Sequence, residues 1–444
     1  MENLRFFIQT FGCQMNDHDS AVLARLLEQE GLRPTGDPAE ADVILVNTCA
    51  IREKAEQKVY SQLGRYRRLK ARRPGTILGV GGCVAQGEGR GIFRRAPYVD
   101  LVFGTQTIHE VPEMLREVRE RRRRVVDTRM DHDPAAMRTL YAHTAGHGPQ
   151  AYVTVMQGCD NYCAYCVVPY VRGREVSRPP EEIVEEVERL ARAGVVEVTL
   201  LGQNVNSYGQ KPAFGVDFPE LIRRVAGVEG LRRIRFTTSH PKDLSPELIR
   251  LFAEEPKLMP HIHLPLQAGS DRVLEAMGRR YTAARYLELM GELRRVCPEI
   301  AVTSDMIVGF PGETEEDFAR TLAVMEEVVF DGLFSFKFSP RPGTRAADLP
   351  DPVPEEVKEA RLARLQRLQA QHTLARNRRW EGRVRPVLVE GPSKAGRGQV
   401  AGRTPEGKIV NFEGDVAWVG REVPVRIVAA AVNSSVGEAV GGPV

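Results

Sequence analysis

The sequence predicts an α/β chain in three parts: a parallel-sheet α/β domain, a central partial (β/α)6 barrel, and a small closing β-barrel. From Phe6 to about Arg379, short apolar runs alternate with helix-length amphipathic segments, as in parallel sheets covered on both faces. After Trp380 the helices stop, and short β-rich pieces follow one another between Gly and Pro turns. The length of 444 residues agrees, since about 150 residues per domain gives roughly three.

The first part, residues 1–130, carries strand-like runs at Phe6–Thr10, Val43–Val46, Thr76–Val80 and Leu101–Phe103. Helical spacing covers Asp17–Glu30, and a charged helix runs to about Lys70. Residues 131–149, rich in His, Gly and Pro without periodicity, read as a linker. In the second part, 150–379, six strand–helix units start with Tyr152–Met156, Glu197–Leu201, Arg233–Thr237, His261–Leu266, Val302–Ile307 and Leu333–Phe338. Six such units suggest an open relative of the eight-fold barrel, with chemistry at the carboxyl ends of its strands. A long helix from about Glu355 to Arg379 closes this part. The last part, 380–444, offers strands at Val384–Val389, Gln399–Val400, Ile409–Phe412 and Val423–Ala429.

A composition of 42 % hydrophobic and 27 % charged residues excludes a disordered or fibrous chain. The longest apolar stretches, Ala41–Val46 and Val425–Val432, fall far short of the ~18 residues of a bilayer span. No basic region followed by an apolar core opens the chain, so a cytoplasmic protein without a membrane partner is expected. The net charge of +3 decides little, but Arg121–Arg124 and the stretch from Arg361 to Arg403 are locally basic. Either is a solvated face or a surface for phosphates. Seven cysteines, an odd number in a reducing compartment, argue for metal binding or catalysis over disulfides.

Cys159, Cys163 and Cys166 form a C-x3-C-x2-C loop after the first barrel strand. Three such thiolates can hold three irons of a 4Fe-4S cluster, leaving the fourth iron open to a small molecule. A zinc site would need a fourth ligand, which this loop lacks. Cys13, Cys49 and Cys83 each follow a strand of the first domain, so one sheet edge gathers them. Gly12, Gly81 and Gly82 would let backbone approach a bulky ligand there. Spacing alone leaves open a second cluster or three buried structural thiols. Cys297 has no partner in sequence and reads as a packed thiol.

The loop Gln157–Cys166, with Tyr165 before its last cysteine, resembles the radical S-adenosylmethionine (SAM) enzymes. The resemblance implies that SAM binds the open iron and is cleaved to methionine and a 5′-deoxyadenosyl radical. Adding the three N-terminal cysteines and the final β domain, essentially the whole chain resembles the radical SAM methylthiotransferases, and within them the type that acts on dimethylallyladenosine in tRNA. The segments Val46–Glu56, Tyr165–Glu175, Leu200–Asn206 and His263–Gln267 carry the likeness. So does a TRAM-like end with Gly402-Arg403-Thr404 and Val410-Asn411-Phe412. One departure is Val84 after Cys83, where Met is expected.

The resemblance implies two 4Fe-4S clusters, the second on Cys13, Cys49 and Cys83, and two SAM per turnover. The radical would take hydrogen from carbon 2 of N(6)-isopentenyladenosine beside the anticodon, and the second cluster would deliver sulfur. The implied partners are the tRNA anticodon loop and an electron donor such as flavodoxin or ferredoxin; the sulfur source stays open and a monomer is expected.

Gly202, Gln203 and Asn204, at a strand end, either contact SAM or structure their loop. Gly309 and Pro311 either let backbone approach the SAM adenine or start the next helix. His263 and Gln267 point into the barrel mouth, unless the histidine is a satisfied core residue. Lys394, Arg397, Arg403 and Lys408, in turns of the β domain, would reach phosphates, and Arg172 and Arg174 beside the cluster loop would contact substrate. Relatives acting on threonylcarbamoyladenosine or on a ribosomal-protein aspartate share the cysteine plan. Val167–Gly173 and Gly202–Asn206 favour the dimethylallyl type by resemblance. A non-catalytic iron–sulfur RNA-binding redox sensor would instead want fully ligated clusters.

Overall fold

The computed structural model describes residues 3–50, 53–131, 148–211, 213–350, 353–394, 396 and 398–444, without the side chains of 53–57. Most of the predicted linker and Arg397 lie outside these residues.

Six strands form the first sheet: β1 (Arg5–Phe11), β2 (Arg33–Pro34), β3 (Val43–Thr48), β4 (Ile77–Gly82), β5 (Leu101–Phe103) and β6 (Val125–Asp127). They are all parallel, in the order β2-β1-β3-β4-β5-β6. β3 is buried throughout because its alternate side chains feed two cores. Val43 and Leu45 join Leu23, Leu27 and Leu115 on one face. Ile44 and Val46 join Leu63, Tyr66 and Val80 on the other. The short edge strands β2 and β6 escape the sequence reading because neither carries a buried apolar run.

The second part pairs β7 (Gln150–Thr154), β10 (Glu197–Leu201) and β11 (Arg233–Thr237) in one sheet. A second sheet holds β12 (His261–His263), β13 (Ala301–Val308) and β14 (Gly332–Lys337). All six are parallel, and an Ile234–Leu258 bridge links the two sheets into the expected partial barrel. A short antiparallel pair, β8 (Met156–Gln157) with β9 (Val176–Ser177), brackets the cysteine loop. Helix Glu355–Arg378 closes the part, as expected.

The chain ends in a closed barrel of β15 (Val384–Pro392), β16 (Gln399–Arg403), β17 (Ile409–Glu413), β18 (Glu422–Ala430) and β19 (Ser435–Ala439). Val387, Val389, Val400, Phe412 and Val425 fill it. β19 is a strand the sequence did not announce, since its inward positions are Ser435 and Gly437. This barrel sits on the strand starts of the central one. Arg233, at the start of β11, reaches Glu422 and donates to Arg403 O at 2.9 Å. Arg235 donates to Thr404 O at 3.0 Å and Pro405 O at 2.9 Å. The carboxyl ends of the central strands are thereby left to the chemistry.

Candidate functional site

β1, β3 and β4 are neighbours, so Cys13, Cys49 and Cys83, each just past one of them, come together at one sheet edge. A buried amide clasp fixes the edge. Asn16 Nδ2 donates to Asn47 Oδ1 at 3.0 Å and to Thr48 O at 3.2 Å, and Asn47 Nδ2 donates to Asn16 O at 2.9 Å. Cys13 stands at the N-cap of helix Gln14–Gln29. A hydrogen bond with Cys49 lowers its thiol to about 6, helped by Arg172 and the helix-start amides and opposed by burial. Burial raises the Cys83 thiol, against the pull of Arg172.

The glycines here make room for neighbouring side chains. A Cβ on Gly12 would lie 2.3 Å from Asn16 Oδ1, and one on Gly81 would lie 2.1 Å from the Phe103 ring. Gly82 has φ +87°, and its Cβ would strike Asn47 and the Thr48 carbonyl.

Arg172 belongs to this edge and not to an RNA-facing surface. It is 3 % exposed, and its Nη2 donates to Asp19 Oδ2 at 2.7 Å. Helix Val168–Arg172, which carries it, begins two residues after Cys166.

In the second set, Cys159 and Cys163 are buried and Cys166 is partly so. Burial pushes the thiols of Cys159 and Cys166 up to about 11 and about 12. The loop is pinned from both sides: Cys159 N donates to Gly173 O at 3.2 Å, and Ala164 N to Met277 O at 2.8 Å. Arg279 is buried, with Nη1 at 3.5 Å from Cys163 Sγ, Nη2 on Pro265 O at 2.9 Å and Nε on Tyr281 Oη at 3.1 Å.

Gln203 Oε1 accepts from Gly158 N, tying the strand end at β10 to the cysteine loop. Asn204 Nδ2 donates to Asp243 Oδ2 at 2.7 Å and Ser207 Oγ at 3.0 Å, so half of this amide structures its loop. A Cβ on Gly202 would meet Met156 Cγ at 2.5 Å, so packing requires this glycine. Gly309 likewise leaves room for Lys358 and gives its N–H to Glu313 at 2.6 Å; Glu313 in turn pairs with Arg361 at 2.8 Å. Thr314 then caps helix Glu315–Val328, so the loop through Pro311 starts the next helix. His263 is satisfied, with Nδ1 3.0 Å from Thr303 Oγ1 and Nε2 3.4 Å from Asp305 Oδ2.

Both cysteine sets suit iron–sulfur clusters by donor chemistry. Among the described residues no three His, Cys, Asp or Glu side chains converge on one ion. Thiolates that each take a different iron need no such point, whereas a mononuclear zinc site does. Past the carboxyl ends of β10, β11 and β12, buried polar atoms lack partners: Gln203 Nε2, Asn204 Oδ1, the Asn206 amide, Ser239 Oγ and Gln267 Oε1. Such a concentration of unpaired groups fits a polar ligand such as SAM.

Arg174 is exposed but holds Asp160 at 2.7 Å, together with Lys211 at 2.7 Å. Lys394 is exposed. Arg403 is partly exposed and pairs with Glu390 at 2.9 Å. Lys408 departs from expectation: it is largely buried against Asp331 at 3.0 Å, fastening the final barrel to the central one. Sequence reasoning missed Asp19 and Arg279, because neither stands at a strand end or within a cysteine spacing.

Family models match in three segments: the Radical SAM superfamily over residues 153–325, the Uncharacterized protein family UPF0004 over 5–104, and the TRAM domain over 378–440. The chain is 54 % identical over 442 residues to a tRNA-2-methylthio-N(6)-dimethylallyladenosine synthase of Syntrophobacter fumaroxidans, covering 98 % of this chain and 96 % of that one. A protein of the same name from Geobacter sulfurreducens is 53 % identical over 99 % of this chain and 98 % of its own. Among solved structures, a radical S-adenosylmethionine methyltransferase, TsrM, from Kitasatospora setae shares the fold with a TM-score of 0.56. It is 16 % identical, covering 78 % of this chain and 75 % of that one. Identity above 50 % over nearly the whole chain, on a fold with both cysteine edges in place, shows that the chain belongs to the radical SAM methylthiotransferases, in the tRNA-2-methylthio-N(6)-dimethylallyladenosine synthase family.

Proposed function

We propose that the chain methylthiolates carbon 2 of N(6)-isopentenyladenosine next to the anticodon of tRNA, giving 2-methylthio-N(6)-isopentenyladenosine. The observation that supports this most is the pairing of two three-cysteine edges through helix Val168–Arg172. Cys159, Cys163 and Cys166 would hold one 4Fe-4S cluster and SAM, and Cys13, Cys49 and Cys83 a second cluster. When bound, the first supplies the electron that cleaves SAM and the second a transferable sulfur.

Burial keeps Cys159 and Cys166 protonated in the absence of metal, so loading releases their protons. Arg279 holds a positive charge beside Cys163. Gln203, Asn206, Ser239 and Gln267 would pair their open atoms with the polar groups of SAM. The division into residues 1–130, 150–379 and 380–444 assigns sulfur delivery, radical formation and RNA binding to separate parts. Arg174, Lys394, Arg397 and Arg403 would meet phosphates, while a base in a single-stranded loop enters a pocket at little unstacking cost. A flavodoxin or ferredoxin would give the electron to a monomer in the cytoplasm.

The test is nucleoside mass spectrometry of isopentenylated tRNA after anaerobic incubation with reconstituted protein, SAM and reductant. The methylthio nucleoside is expected. Release of 5′-deoxyadenosine without it would mean another substrate or a missing sulfur, and no release at all would leave the redox-sensor reading.

A further inference from the structure

On β14, in the wall of the central barrel, Phe334 is 52 % exposed while both its chain neighbours are half-buried. Side chains alternate along a strand, and Leu333 packs against the core between sheet and helices. Phe334 therefore points the other way, into the barrel. The same alternation turns His263, Thr303 and Asp305 inward, since Ile262, Val302 and Met306 belong to that core. Register sets Phe334 beside Asp305 and His263 beside Thr303. The Phe334 and His263 rings meet edge to face with centroids 6.1 Å apart, and Thr303 and Asp305 hold the imidazole.

This ring lies within one register step of the polar ends beside the cysteine loop. Met306, next after Asp305, bridges to Gln267, whose buried Oε1 has no partner. Ile307 and Phe336, paired and partly buried, carry the apolar wall on toward the strand ends. Below, the turn Thr404–Lys408 closes the barrel with polar groups: Arg235 bonds to its carbonyls, and a Cβ on Gly407 would lie 3.7 Å from His261. The interior thus offers a polar rim, an apolar wall and a polar floor. A flat polar ring carrying a short hydrocarbon arm matches that order. The arm gains by leaving water against Phe334, whereas a carboxylate-bearing arm would lose hydration there.

We propose that Phe334 is a specificity-determining residue whose exposed ring receives the isopentenyl group on N(6) of the target adenine. Prenylated adenosine is thereby preferred over the bare base. This rests on the reading that isopentenyladenosine in tRNA is the substrate.

The experiment measures binding of two anticodon stem-loop RNAs, identical except for the isopentenyl group, to reconstituted full-length protein with SAM. Phe334→Ser is expected to lower the ratio of the two affinities at least about tenfold, with the affinity for the unmodified RNA unchanged. Phe334→Leu, which stays apolar, should keep most of the preference. An unchanged ratio in Phe334→Ser overturns the proposal, and so does equal weakening of both RNAs, which would give the ring to the base or to the fold. Iron content must equal the parent's; Phe334→Ala replaces Phe334→Ser if the latter loses iron, and loss from both makes the ring a structural prop and overturns the role. A parent protein that binds the two RNAs equally also overturns it, even where the methylthio nucleoside forms. A preference that Phe334→Ser removes, in a parent that forms no methylthio nucleoside, would keep this role and sink the assigned reaction.

Discussion

The guanidinium of Arg172 and the carboxylate of Asp19 meet at 2.7 Å across the junction of the first two parts, with both side chains buried. Burial works against the Asp19 charge, yet Arg172 and His18 hold its carboxyl below the usual range. Removing one partner of such a pair leaves an uncompensated buried charge. Asp19→Ala should therefore lower stability by about 3–5 kcal/mol, read as thermal unfolding of the iron-loaded protein under anaerobic conditions. A change within measurement error would mean that the junction reorganises freely.

The two cysteine edges should separate chemically. Replacing Cys159, Cys163 and Cys166 by Ala should abolish 5′-deoxyadenosine release while iron remains on the other edge. Replacing Cys13, Cys49 and Cys83 should keep that release and eliminate the methylthio nucleoside. Iron and sulfide content measured beside the two products checks both halves, and full iron in either triple variant would contradict the assignment.

Arg279 stands 3.5 Å from Cys163 Sγ in a buried setting. A cation there favours the more negative, reduced state of whatever the thiolate binds. Arg279→Met should lower the midpoint potential of the reconstituted site by on the order of 60 mV, a tenfold change for one electron. The same variant frees the Pro265 carbonyl, so its fold is to be checked by circular dichroism.

Two lysines of the final barrel should behave differently. Lys394 is exposed, and Lys394→Ala should weaken tRNA binding and reduce its salt slope by about 0.7–0.9. Lys408 is held by Asp331, and Lys408→Ala should lower stability while leaving the salt slope unchanged. A slope near zero in the parent protein would remove phosphate contacts from the account.

Asp331 gathers Lys408 and Arg376, both at 3.0 Å, at the seam between the two barrels. Burial opposes its charge, but these cations hold its carboxyl below the ordinary value. A depressed folded value means the stabilisation is complete above the unfolded value near about 3.9 and is lost as pH falls through the folded one. Asp331→Asn should thus be less stable than the parent at neutral pH, and the gap should narrow below about pH 4. Denaturant midpoints across that range test the sign.

Much of the chain is legible without coordinates. Alternation of apolar runs with amphipathic helices gave three parts and six barrel strands, because parallel strands buried on both faces need uninterrupted β-branched residues. The cysteine positions after β1, β3 and β4 gathered them at one edge, because all carboxyl ends of a parallel sheet face the same way. What spacing leaves open is where a long side chain goes. Arg172 and Arg174 lie two residues apart, yet one is buried on Asp19 and the other pairs with Asp160 at the surface. Lys408 reads as a turn lysine until the fold places it against Asp331 from another part of the chain. The sequence by itself determined the architecture and singled out the six cysteines proposed as ligands, since both follow from local periodicity and strand order. Only the tertiary structure decided which charges are buried and what they face, because burial and pairing depend on segments separated in sequence, by as many as 153 residues for Asp19 and Arg172.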